Sequence, residues 1–248
     1  LHQGAIGRAL SLLETLYPEE DQQTLAQLSI GERDTHLLRA RELLFGSRLV
    51  SSVKCPRCSE RLEWESNVAD LFVLRADDPE RSSTGPQGKD SPPFAEETRD
   101  ILELVAGNCR IMFRPPNSDD LSSLAGNRDD AAKREQLLRR CLIEATQGNG
   151  EPLSFSHIPE TVLQEIVQAM ENADPQSNLQ ISVTCPACNH PWEATFDIVS
   201  FLWSEIHSWA LRTLQTVHEL ARSYGWREAD IFALSPTRRQ IYLDMARQ

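Results

Sequence analysis

Cys55-Pro-Arg-Cys58 and Cys185-Pro-Ala-Cys188 are two Cys-Pro-x-Cys turns separated by 126 residues, and together they present four thiols in metal-ligand spacing. Each turn sits in the same local text. VKCPRCSERLEWE and VTCPACNHPWEATF share the leading Val, both Cys, the Pro and, four residues after the second Cys, a large apolar residue followed by Glu. Two C-x-x-C pairs facing each other can place four sulfurs at about 2.3 Å from one zinc ion, the closed tetrahedral arrangement of a structural site. Four protein ligands leave no open position for water, so the implied role of Zn2+ is to hold the fold and not to catalyse.

Other chemistries open to these thiols fit less well. Redox catalysis by C-x-x-C usually has one such motif opening a helix in a βαβ setting, and here strand-like text flanks both copies. Two structural disulfides would need an oxidising compartment, and nothing in the N-terminal text resembles a signal peptide. His190, two residues after Cys188, could replace one sulfur but reads better as a solvated hairpin residue. Cys109 and Cys141 lie among apolar neighbours, where a cysteine acts as a small buried hydrophobe.

The elements that must carry the four thiols are legible in the flanks. Leu179, Ile181 and Val183 alternate with polar residues into the second turn, and Trp192, Ala194 and Phe196 alternate out of it. Val53 leads into the first turn, with Leu62 and Trp64 on the way out. Period-two spacing on both sides of a short turn predicts a β-hairpin with the thiols at its tip. Such a pairing ties residues near 55 to residues near 185, so the segment between them is one folded excursion.

Helical periodicity dominates elsewhere. Helices are expected over residues 4–17, stopped by Pro18, and 31–45, stopped by Gly46. A strand is expected over 71–74, a helix near 95–106, a strand at 110–113, and a short helix 119–125 capped by Ser118. Helices follow over 129–145 and 159–172, then a long amphipathic one from Asp197 to Gly225, a short one at 227–233, and a last one opening at Ser235-Pro236. The fold class is α+β, predominantly helical. Its expected divisions are an N-terminal helical region (1–48), the first zinc knuckle and strands (49–75), a flexible loop (76–94), an α/β insert (95–178), the second knuckle (179–197) and a C-terminal helical region (198–248). The loop rests on the Pro-, Gly- and Ser-rich text ADDPERSSTGPQGKDSPPF.

At 248 residues the chain can bury a sizeable core. No apolar run approaches the roughly 20 residues that span a bilayer, which points to a soluble protein. The chain opens on Leu1 in place of Met, implying residues before it. A formal charge of −12 opposes non-specific binding to nucleic acid. Basic residues gather only at Lys133, Arg134, Arg139 and Arg140, a solvated helix face, and at Arg238 and Arg239. The last pair, on a helix after a tight turn, superficially resembles a DNA-reading element and keeps one alternative in play, a zinc-ribbon nucleic-acid-binding regulator. No Gly-rich phosphate loop, nucleophile elbow or H-E-x-x-H occurs, and His207 and His218 lie three helical turns apart, too far to share a metal. A non-enzymatic protein is expected.

The C-terminal text SYGWREADIFALSPTRRQIYLDMA resembles a signature of contractile-tail phage baseplate proteins, through Tyr224-Gly225-Trp226, Ile231, Leu234, Arg239 and Tyr242-Leu243. A wider pattern is similar to baseplate-associated proteins of bacterial contractile injection systems. It comprises GERDTHLLRARELLFG, the first knuckle, RIMFRPPNSDDL, LLRRCLIEA and the second knuckle leading into FDIVSFLWSEIHSWA. The resemblance implies a structural or assembly protein whose partners are other baseplate, hub or tail proteins, working in the bacterial cytoplasm during assembly; it leaves open whether the protein stays in the finished tail particle or acts only as an assembly factor. The long helix and the residues after it, Ile198 to Met245, are the expected partner surface. The phage proteins need not contain the cysteine pairs, which makes the knuckles an elaboration.

Overall fold

The computed structural model describes residues 4–73, 101–126 and 129–247. The expected loop at 76–94 lies outside the described residues. Helix α1 (Ala5–Leu16) buries Ala9 and Leu13, one face of its apolar stripe. A short α2 (Gln22–Ala26) leads to α3 (Ile30–Phe45). Ser29 opens α3 with a capping box: its hydroxyl accepts from the Glu32 N–H at 3.2 Å, and the Glu32 carboxylate accepts from the Ser29 N–H at 3.0 Å. Two donors that the first helical turn leaves unpaired are thereby satisfied. Gly31 is required next to this cap. Its N–H donates to the buried Asp174 carboxylate at 2.9 Å, and a Cβ there would meet Asp174 Oδ1 at 1.9 Å.

Strand β1 (Arg48–Lys54) pairs antiparallel with β2 (Arg61–Asn67), with Val53 opposite Leu62. A strand was expected over 71–74, of which residue 74 lies outside the described residues. Val68–Leu71 instead form a turn of 3-10 helix, because the Asp70 carboxylate accepts from the Asn67 N–H at 3.2 Å and closes the chain on itself. Val68 and Leu71 are buried beneath it.

The insert departs most from expectation. Of the helix expected near 95–106, residues 95–100 lie outside the described residues; over the rest, β3 (Leu102–Ala106) turns through Gly107 and Asn108 into β4 (Cys109–Phe113). Gly107 sits at φ 60°, a backbone region that glycine enters freely and a hairpin turn demands. Helix α4 (Ser118–Ser123) is capped by Asn117, not Ser118, which is its first residue and fully buried. Helix α5 (Asp130–Cys141) stops short of the expected 145, and Leu142–Gln147 become β5, pairing antiparallel with β4. The open backbone edge of β4 is satisfied by β5, a pairing that helical periodicity in the segment alone does not report. Helix α6 (Glu160–Ala173) closes the insert's core of Ile111, Phe113, Leu138, Cys141, Val162 and Ile166.

Strands β6 (Gln180–Thr184) and β7 (Pro191–Thr195) form the second two-stranded hairpin, with Val183 opposite Trp192. Helix α7 runs from Ile198 to Tyr224, followed by α8 (Glu228–Ala233) and α9 (Pro236–Ala246). Ser235 caps α9 through the Arg238 N–H at 3.3 Å, with Pro236 at its first position as the sequence implies. The chain forms two compact units, residues 1–199 and 200–248. The smaller has its own core of Val217, Leu220, Ile231 and Leu243. The Tyr224-Gly225-Trp226 text serves that core. Tyr224 stacks on Trp226 with ring centres 4.7 Å apart, Trp226 meets the edge of Tyr242 at 4.9 Å, and the Tyr224 hydroxyl donates to the Tyr242 carbonyl.

Candidate metal centre

Each knuckle is built by the same backbone bonds. The Cys55 N–H donates to the Glu60 carbonyl at 2.8 Å, and the Ser59 N–H donates back to the Cys55 carbonyl at 2.9 Å. In the second knuckle the Cys185 N–H donates to the His190 carbonyl at 3.0 Å, and the Asn189 N–H to the Cys185 carbonyl at 2.9 Å. Ser59 (φ 63°) and Asn189 (φ 53°) occupy equivalent left-handed positions directly after the second cysteine of each turn. Non-glycine residues seldom adopt this conformation. Among the described residues no other non-glycine position does.

The two hairpins bring the four thiols together. All four Sγ atoms lie within 4.8 Å of one another. Cys55 Sγ stands 3.7 Å from Cys188 Sγ, and Cys58 Sγ stands 3.6 Å from Cys185 Sγ. A tetrahedron with metal–sulfur bonds near 2.3 Å has sulfur–sulfur edges of about 3.8 Å, so the spacing suits one tetrahedral ion. Cys55 and Cys185 are buried, Cys188 is half-buried and Cys58 is exposed. Trp64 and Phe196, at 6.2 Å between ring centres, and Val53 and Val183 line a small gap between the hairpins.

Three of the thiols, Cys55, Cys58 and Cys188, are shifted from the ordinary cysteine range. Burial works to raise Cys55, but the N–H groups of Cys58 and Arg57, with the Cys58 and Cys188 side chains, bring it down to about 7. At Cys58 the Glu60 N–H works downward, yet burial and the three facing sulfurs push it up to about 12. Burial likewise raises Cys188, with Cys185 and Cys55 adding to it against the His190 N–H. Facing sulfurs thus hinder one another's ionisation, and a cation among them would favour the thiolate form.

The remaining sequence candidates fall away from this cluster. Among the described residues the only set of ligating groups close enough to share an ion is the four cysteines. The His190 ring stacks on Trp192 at 6.2 Å. Cys141 is buried in the insert, its thiol pushed up to about 12 by burial and by Asp120. Cys109 packs partly buried against the same core.

Asp120 carries a role that sequence reading did not detect. It is fully buried and accepts from Arg114 at 2.6 and 3.0 Å, from Arg140 at 2.9 Å and from the Asn117 N–H at 3.0 Å. Burial works to raise its pKa, and Arg114, the Asn117 N–H and Arg140 overcome that and hold it below the ordinary carboxylate range. Arg140, expected on a solvated face, is thereby a structural partner. The signal available in the sequence was Asn117 three residues before Asp120, the spacing of a capping box.

These features define a class: an α+β, mostly helical protein in which two hairpin tips, remote in sequence, gather four cysteines into a zinc-ribbon-like cluster. A family model described as T4 bacteriophage base plate protein matches residues 5–203. The chain belongs to that family. The matched range includes both knuckles and the insert and ends before Tyr224. Comparison with curated proteins and with solved structures returns no match. No helix among the described residues is long and apolar enough to cross a membrane.

Proposed function

We propose that the protein is a non-enzymatic structural or assembly component of a contractile-tail baseplate, built into or onto the tail particle through other baseplate, hub or tail proteins. The observation that carries this reading is the base plate family match over residues 5–203. The acidic balance supports it, since −12 suits protein partners better than phosphate backbones. On this reading Cys55, Cys58, Cys185 and Cys188 ligate one Zn2+. The ion neutralises the thiolates and locks the hairpins to each other, and the chain's own residues do the rest: the knuckle N–H groups orient the sulfurs, and the strands aim both tips at one point. Thiolate-only donors at tetrahedral spacing favour zinc over calcium or magnesium, which take oxygen ligands. The C-terminal helical region from Ile198 to Met245 offers the partner surface. Trp209, Leu211 and Leu214 are more than half exposed on α7, and Phe232 and Met245 are exposed on α8 and α9.

The test is affinity capture of the tagged full chain from a host expressing the contractile system, read by mass spectrometry. Recovery of hub, tube or spike proteins at stoichiometric levels is expected. Recovery of ribosomes or polymerase, with salt-sensitive binding to DNA, overturns the reading in favour of a nucleic-acid regulator. Metal analysis of the same preparation is expected to give about one zinc per chain.

A further inference from the structure

The two hairpins meet at their tips through sulfur, and a second junction lies at their bases. The first hairpin leads into the 3-10 turn Val68–Leu71, and the second follows another such turn, Pro175–Asn178. Gln176, 7% exposed, joins these two turns. Its side-chain Nε2 donates to the Leu71 carbonyl at 3.1 Å, and its Oε1 accepts from the Val73 N–H at 2.8 Å. One acceptor and one donor on the facing backbone fix the orientation of the amide, and both of its ends are engaged. Beside it Asp174, 2% exposed, accepts from the Gly31 N–H at 2.9 Å, and the Ser177 hydroxyl donates to the Asp174 carbonyl at 2.6 Å. Asp174 is itself anchored to the insert, its N–H donating to the Met170 carbonyl at the end of α6. None of these bonds involves sulfur.

We propose that Gln176 and Asp174 form a latch across the neck of the insert that positions the second knuckle against the first without metal, and thereby sets the affinity of the four-cysteine site. The inference rests on the metal reading above. Chain connectivity gives its size. Cys58 and Cys185 are 127 positions apart, and the Leu71–Gln176 bond already spans 105 of them, leaving about 22 for the metal to close. Closure entropy rises as three halves of the logarithm of loop length, so opening the latch weakens metal binding by at most about 14-fold. The folded insert also shortens the free path, which makes that figure a ceiling. The latch bonds touch no ligand, so they persist when a chelator takes the ion. The metal-free chain then keeps its hairpin bases together, opens only at the tips, and stands ready to reload.

The experiment uses the full chain, with zinc affinity read by competition against a chromogenic chelator and stoichiometry measured alongside. Gln176→Ala is expected to bind about one zinc per chain with affinity lowered several-fold, up to the ceiling of about 14-fold. Gln176→Glu, whose carboxylate can accept from Val73 but cannot donate to Leu71, is expected to fall between. Asp120→Ala, destabilised within the insert, is expected to bind zinc as tightly as the unaltered chain. A second measurement needs no substitution. Amide hydrogen exchange after metal removal is expected to leave Gly31 and Val73 protected while the Cys55 and Cys185 N–H groups exchange. Unchanged zinc affinity in Gln176→Ala, an equal weakening in Asp120→Ala, or loss of Gly31 and Val73 protection together with the metal overturns the proposal. A chain that takes up no zinc overturns the metal reading and this proposal together, an outcome that stoichiometry alone makes plain.

Discussion

The clasp and the insert it encloses are held together by opposite means. In the hairpins β1–β2 and β6–β7 side chains alternate between exposed and half-buried, and few residues besides Leu49, Cys55 and Cys185 are fully covered. An isolated two-stranded hairpin is marginal in water. The insert instead packs one sheet, β3–β4–β5, with α5 and α6 over a continuous apolar core and ties Arg114 and Arg140 to a buried carboxylate. On the proposed metal reading, the region without a core depends on its ligand and the region with one does not. Each prediction below separates those two modes of support.

If the four cysteines hold zinc as proposed, losing the metal separates them most. Cys55→Ser or Cys185→Ser removes a buried ligand, and the binding energy of a structural zinc is folding energy. Zinc content should fall to near zero, with a loss of about 4–5 kcal/mol or more in stability, the range reserved for lost metals and networks. Hydrogen exchange should show β1, β2, β6 and β7 losing protection while β4 and α6 keep theirs. Equal loss across all of these would show that clasp and insert are one cooperative body. A Cys109→Ala control should leave zinc content unchanged.

Breaking the insert is the reciprocal test. Asp120→Ala leaves Arg114 without its main partner and Asn117 without its reciprocal cap bond. Removing one member of a buried pair costs about 3–5 kcal/mol. Chemical denaturation should report that loss while metal analysis still finds the same zinc per chain. Zinc lost together with insert stability would mean that the insert holds the knuckles in place.

The two regions also differed in how much of each the sequence displayed. The clasp was legible because its chemistry is local. Two cysteines spaced by Pro-x, with alternating apolar flanks, specify a knuckle in about a dozen residues, and the second copy names the partner. The insert was not legible in the same way. Leu102–Ala106 and Leu142–Gln147 become strands by pairing with Cys109–Phe113 from either side, and Leu142 and Ala145 continue the helical stripe of α5 so smoothly that the switch to extended backbone left no mark in the periodicity. Gly107-Asn108 between alternating residues was the missed hairpin signal. Asp120 could not be distinguished from Asp119 without knowing that Arg114 and Arg140 converge on one of them. Local patterns report hairpins and helices; burial of a charge is a property of three segments at once.

Acid should resolve the two supports in order. Protons compete with the metal for thiolate sulfur, so zinc leaves as pH falls. Asp120 has a folded pKa below its unfolded value, so its contribution is complete above about 3.9 and is lost as pH falls through the lower folded value. Zinc release is therefore expected at the higher pH and loss of the insert's helical and sheet signals at the lower. Followed by a zinc indicator and backbone NMR intensities in one titration, coincident transitions would contradict the separation.

The smallest effect lies within the clasp and distinguishes its two halves. Ser59 and Asn189 hold equivalent left-handed conformations, at φ 63° and 53°. An L residue pays roughly 1–2 kcal/mol in that region, but Asn visits it more readily because its short amide bonds locally, whereas Ser has weaker means of doing so. Ser59→Gly should therefore stabilise the zinc-bound protein by about 1 kcal/mol, less the extra flexibility glycine brings to the unfolded chain. Asn189→Gly should gain less. The comparison is read as the shift in denaturation midpoint at saturating zinc, where both variants bind the ion equally. If Asn189→Gly gains as much as Ser59→Gly, the asparagine side chain contributes nothing to its turn, and the two knuckles are energetically identical as well as geometrically alike.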